Sequence, residues 1–97
     1  MEAIILLEIH VAPENVAGLE DVVREMLPET RRHDGCISIM PIRNQADPGN
    51  VVLMQRWKTR AHYEKYLKWR ADTGVSSAMT ARISAKYDIR YFDPVEA

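Results

Sequence analysis

The chain has 97 residues and a mass of 11.2 kDa, enough for one core and too little for two. A hydrophobic fraction of 46% with 28% charged residues excludes a disordered or collagen-like chain. Thirteen basic against fourteen acidic side chains leave a net charge of −1, so no global field recruits nucleic acid or an anionic membrane. The single cysteine, Cys36, excludes an internal disulfide framework and a cysteine-only zinc site. The first residues lack the basic stretch of a signal peptide, and no apolar run approaches the ~20 residues of a membrane span. The expectation is a cytoplasmic, soluble, single-domain protein with no membrane or nucleic-acid partner.

Residues 3–11 (AIILLEIHV) are rich in Ile and Leu and stop before Pro13, which predicts a first strand. From Val16 the period changes. Val16, Leu19, Val22, Val23, Met26 and Leu27 follow the spacing of a helical stripe, with Glu14 or Asn15 as the cap and Asp34-Gly35 as the stop. Pro28 inside this helix predicts a kink or loosened turn near Arg24–Pro28. Residues 36–43 (CISIMPIR) read as a second strand, with Ile37 and Ile39 alternating against Cys36, Ser38 and Met40; Pro41 argues for a sheet edge. Asn44 to Asn50 form a loop, and 51–57 (VVLMQRW) a third strand. A second helix begins after Thr59 as N-cap and runs to about Arg70, where Asp72-Thr73-Gly74 breaks it. A shorter helix through Val75, Met79 and Ile83 is expected next, then a last strand over 85–92.

The order β-α-β-β-α-β predicts an α+β, ferredoxin-like fold with an antiparallel four-stranded sheet in one domain spanning 1–97. Two helices cover one sheet face only. The strands nevertheless carry apolar side chains on both parities, and an apolar patch on the open face would be a liability in a monomer. A homodimer joined through the sheet face follows, with Ile4, Leu6, Met40 and Met54 as interface candidates.

The segment LPETRRHDGC (27–36) and the run DPGNVVLMQRWKTRAHYEKYL (47–67) resemble the antibiotic biosynthesis monooxygenase family. The resemblance implies a dimeric α+β barrel with a pocket in each subunit between sheet and helices. It also implies oxidation of aromatic phenols or quinols by O₂ without metal, flavin or haem, so no cofactor is expected. Trp57 and Tyr63 match a tryptophan and a tyrosine that border the pocket in such oxygenases. Leu53 stands where they place an asparagine, and Tyr66 where many members have histidine. The haem-degrading branch is disfavoured: strand one has no asparagine, and His62 lies early rather than late in helix two.

The residues offer a site by themselves. Tyr63, Tyr66, Leu67 and Arg70 share one helix face, and His62, Tyr66 and Trp69 the adjacent one. Trp, Tyr and Phe occur only from Trp57 onward. These rings either fill core opposite the small side chains of strands one and two, or wall a cavity for a small aromatic substrate. In the second case Trp57 and Tyr66 border the guest, Tyr63 donates a proton, and Arg70 holds an anion; His62 or His10 takes the substrate proton. Arg70 has the alternative of an ion pair with Asp72. No metal site is expected, because Glu8 and His10 supply only two ligands. The basic run from Arg56 to Arg70 reads as a solvated helix face, and Cys36 as structural. The functional expectation is a cofactor-independent monooxygenase. Its alternative is a non-catalytic, small-molecule-binding or stress-related dimeric α+β barrel protein.

Overall fold

A computed structural model describes residues 1–74 and 85–96. Strand β1 (Ala3–Val11) ends at extended Ala12, and a single 3-10 turn over Pro13–Asn15 leads into helix α1 (Val16–Arg32). Strands β2 (Cys36–Arg43) and β3 (Asn50–Trp57), helix α2 (Arg60–Thr73) and strand β4 (Ala85–Phe92) follow. The expected helix through Val75, Met79 and Ile83 lies outside the described residues. The four strands form one antiparallel sheet in the order β2-β3-β1-β4, so the arrangement is the ferredoxin-like one expected. Pro41 does lie on an edge strand.

Alternation along β1 and β3 builds the core. Ala3, Ile5, Leu7 and Ile9 stand opposite Trp57, Gln55, Leu53 and Val51, and all of them face the helices. Leu19, Val23, Met26 and Leu27 of α1 pack on the Ile9–Leu53 half, whereas Tyr63 and Tyr66 of α2 pack on the Ala3–Trp57 half. The other parity forms the open face. There Leu6, Met54 and Met40 lie in one cross-strand row, with Met40 54% and Met54 39% exposed. Ile42 and Phe92 add to that exposed surface. At the border of the patch, Glu8 accepts from Arg90 at 3.2 Å and Glu2 pairs with Arg56.

Three local readings need correction. Strict alternation puts Ile37 beside Ile39, but an irregularity between Cys36 and Ser38 takes Ile37 out of register. Ile39 is therefore buried while Ile37 is 45% exposed, and Cys36 instead packs against the core. Neither Glu14 nor Asn15 makes a side-chain cap on α1. Helix α2 passes the expected stop at Arg70. Lys68 pairs with Asp72 at 2.8 Å, and the Thr73 hydroxyl donates back to the Trp69 carbonyl at 2.8 Å, so both residues stay helical. Gly74, with φ +75°, then ends the helix.

Candidate functional site

Between α1, α2 and the sheet lies a cavity of about 250 Å³. Most of its wall is aliphatic, from Leu7, Ile9, Leu53 and Ile89 on the sheet to Leu19 and Met26 on α1. The polar side chains on the wall are Gln55, Tyr63, Tyr66, Arg70 and Tyr87. Tyr63, Tyr66, Leu67 and Arg70 all reach it, as the i, i+3, i+4, i+7 spacing predicts. Among the described lining residues there is no carboxylate and no imidazole.

Arg70 is only 8% exposed and carries the fixed positive charge of this wall. Its Nη1 donates to the Tyr66 hydroxyl at 3.1 Å, and the Tyr66 oxygen lies 2.6 Å from Thr30 Oγ1 on α1. Thr30, fully buried, donates in turn to the Met26 carbonyl at 3.0 Å. The expected alternative of Arg70 with Asp72 is not what forms, since Asp72 pairs with Lys68. Trp57 is fully buried and stands behind the cavity wall, with its ring centroid 5.4 Å from Tyr63 and 5.1 Å from Tyr66. Its indole N–H donates to Gln55 Oε1 at 3.0 Å, which fixes the amide orientation.

The Tyr63 hydroxyl is buried without a hydrogen-bond partner; the Gln55 amide lies near it but outside bonding geometry. Burial pushes its ionisation well above the ordinary tyrosine range near 10, and the Tyr91 and Tyr66 hydroxyls add to that shift. Arg70 and Gln55 pull weakly the other way. At neutral pH Tyr63 is therefore a proton donor in need of an acceptor, not a base.

The histidines lie elsewhere. His62 sits in an outer cleft lined by Arg32, His33, Asp34, Lys65 and Trp69, with Tyr66 common to this cleft and the inner cavity. Its Nδ1 is 2.7 Å from Thr59 Oγ1, and its Nε2 is 3.7 Å from Asp34. Its ring rests on Gly35, whose φ is +89°: a Cβ at that position would come within 2.5 Å of His62. His33 packs on Tyr66 and Trp69, at centroid distances of 4.8 and 4.4 Å. His10 points to the open sheet face beside Glu8, at 3.6 Å. Burial raises the Cys36 thiol above its ordinary range, which disfavours the reactive thiolate. Among the described residues no group of three or more His, Cys, Asp and Glu side chains is placed to hold a metal ion. No described helix is long and apolar enough to cross a membrane.

Sequence reasoning passed over Gln55 and Thr30. A signal existed for the first: Gln55 is the one polar residue on the helix-facing parity Val51, Leu53, Gln55, Trp57. Thr30 continues the stripe of Met26 and Leu27 by i+4 and i+3, which signals burial, but its partner Tyr66 is 36 positions away and has no local signal.

A ferredoxin-like α+β subunit with an apolar cavity between sheet and helices is the class that fold and site define. The chain belongs to the antibiotic biosynthesis monooxygenase family, whose family model matches residues 3–71. A Deinococcus radiodurans protein described in the same monooxygenase terms superposes with a TM-score of 0.83 at 19% identity, over 98% of this chain and 94% of that one. SnoaB, a cofactor-independent oxygenase from Streptomyces nogalater, superposes at 0.80 and 15% identity, over 99% and 95%. Rv0793 from Mycobacterium tuberculosis does so at 0.74 and 19%, over 100% and 98%. At these identities the likeness concerns the fold. None of the curated proteins matches the sequence at a significant level.

Proposed function

We propose that the chain is a monooxygenase that oxidises a small phenol- or quinol-type aromatic compound with O₂ and without a cofactor. The observation that carries this reading is the chemistry of the cavity wall: mostly aliphatic, with a buried guanidinium, the Gln55 amide and three tyrosines at its polar positions among the described residues. Membership of the family supports a monooxygenase-type reaction. At about 250 Å³ the space suits a small aromatic guest.

In this reading the substrate itself supplies the electrons. An ionised phenol passes an electron to O₂ far more readily than the neutral form. The radical pair combines at an activated CH₂ carbon, and the peroxide loses water. One oxygen atom becomes the new carbonyl, the other leaves as H₂O with both hydrogens of the CH₂, and the atoms balance. Arg70 holds the anion, Tyr63 donates to the oxygen that gains charge, and Trp57 and Tyr66 support the ring plane. The Tyr63 hydroxyl is buried without a partner, and in this reading a substrate oxygen that reaches it supplies the missing acceptor. A dry wall favours productive collapse of the radical pair. With no carboxylate or imidazole on the described wall, the proton is lost by ionisation of an acidic substrate before binding, and His62 stays outside the step.

The same reading includes a homodimer through the open sheet face, because Leu6, Met40 and Met54 form an apolar row there. Oxygen consumption by metal-free protein with a panel of hydroquinones and anthrones tests the reaction. Stoichiometric uptake with one carbonyl formed per O₂ is expected. Ligand binding with no uptake across the panel would replace the enzyme by a small-molecule-binding protein, a reading that Leu53 and the missing base favour.

A further inference from the structure

One proton assignment turns every contact in the chain from Arg70 to Met26 into a hydrogen bond. A guanidinium only donates, so the Tyr66 oxygen accepts from Arg70 at 3.1 Å. In the assignment that makes all three contacts hydrogen bonds, the Tyr66 proton goes to Thr30 Oγ1 at 2.6 Å. Thr30 has one proton, and the Met26 carbonyl takes it at 3.0 Å. Three groups thus donate in sequence, N–H to O–H to O–H to C=O. The carbonyl at the end belongs to the backbone of α1 and cannot turn, which fixes the sense of the whole relay.

We infer that Thr30, which does not itself line the cavity, is a positioning residue that acts through Tyr66 on Arg70 and makes the cavity select the ionised form of a phenol over the neutral form. The inference rests on the proposed phenolic ligand. With its proton committed to Thr30, Tyr66 turns its lone pair to Arg70, and this contact brings no negative charge to the guanidinium. A carboxylate in place of Tyr66 would cancel the charge. A tyrosine free to rotate would present a second donor and serve neutral phenols as well. Thr30 removes that second option. Chains of this kind polarise each member, so the Arg70 contact is stronger than an isolated tyrosine would make it.

The test uses 4-nitrophenol, whose phenolate absorbs separately from the phenol, so the ionisation midpoint of the bound probe reads selectivity directly. In the native protein the bound probe should ionise at lower pH than the free one. Thr30→Val, which replaces the hydroxyl by a methyl group of similar size, should move that midpoint back by a preference change on the order of 3–10-fold, the range of one hydrogen bond. Thr30→Ser should restore it. In a Tyr66→Phe background, Thr30→Val should have no further effect on the midpoint, because the route is already cut. An unchanged midpoint in folded Thr30→Val overturns the inference, as does an equal loss of phenol and phenolate affinity, which marks packing alone. A shift that persists in the Tyr66→Phe background also overturns it. Should Thr30→Val not fold, the native protein still decides the matter. Its Tyr66 hydroxyl proton should exchange slowly and show a through-space NMR contact to Thr30, and absence of that contact defeats the relay. Failure of the native protein to bind 4-nitrophenol at any pH, with the NMR contact present, removes the phenolic reading and the selectivity with it, while the other failures leave the phenolic reading standing.

Discussion

At the scale of single residues, the two tyrosines facing the cavity from α2 differ in their hydrogen bonding. Tyr66 is bonded on both sides, whereas the Tyr63 hydroxyl is buried and unmatched. An unpartnered buried hydroxyl costs about 1–3 kcal/mol, so Tyr63→Phe should leave stability unchanged or raise it by up to about 1 kcal/mol in denaturant titration. Turnover or ligand affinity should fall in the same variant. The pH dependence has a definite sign. The folded protein holds the Tyr63 proton more tightly than the unfolded chain, so this stability is fully present below pH ~10 and is lost as pH rises above it, when only the unfolded state ionises. Alkaline unfolding should therefore be shallower in Tyr63→Phe than in the native protein. Gly35 gives an opposite case. With φ +89° and the His62 ring against its Cα, Gly35→Ala should destabilise by more than ~1 kcal/mol. Gly35→Ala combined with His62→Ala should recover only the part due to the ring, because the Cβ of residue 62 stays at the same 2.5 Å.

At the scale of elements, the period of the apolar residues carried most of the information. The stripe from Leu19 to Leu27 became the buried face of α1, and the Tyr63–Arg70 spacing became one face of α2. Thr59 was legible as a cap because its hydroxyl has a local partner, the His62 amide, from which it accepts at 3.1 Å. Thr59→Ala should cost about 0.5–2 kcal/mol, read as a lower unfolding midpoint. What escaped the sequence was set by tertiary partners. The displaced Ile37 shows only in the pairing of β2 with β3, and strict alternation therefore misplaced Cys36. Asp72 and Thr73 have the composition of a stop, yet bonds to Lys68 and Trp69 keep them helical. The site was half legible for the same reason. Residues on α2 could be grouped by spacing, but nothing local shows that Trp57 stands behind the wall, that His62 lies outside it, or that Thr30 meets Tyr66.

At the scale of the molecule, the open sheet face is the surface on which the proposed homodimer rests. Met54 is central in the row Leu6–Met54–Met40, so Met54→Glu would put a charge in the middle of the proposed interface. Light scattering should give twice 11.2 kDa for the native chain and 11.2 kDa for Met54→Glu. The alternation of β1 and β3 has one more consequence. Leu6 and Leu7 are neighbours on one backbone, as are Leu53, Met54 and Gln55, and in each case one side chain lies on the open face, where the proposed dimer forms, while the next lines the cavity. A strand that settles when two copies associate also settles the wall on its reverse side. Subunit association and ligand uptake are then linked by mass action, each favouring the other. Affinity measured in dilute solution should consequently weaken below the dimer's dissociation constant, and saturating ligand should draw the dissociation curve to lower protein concentration.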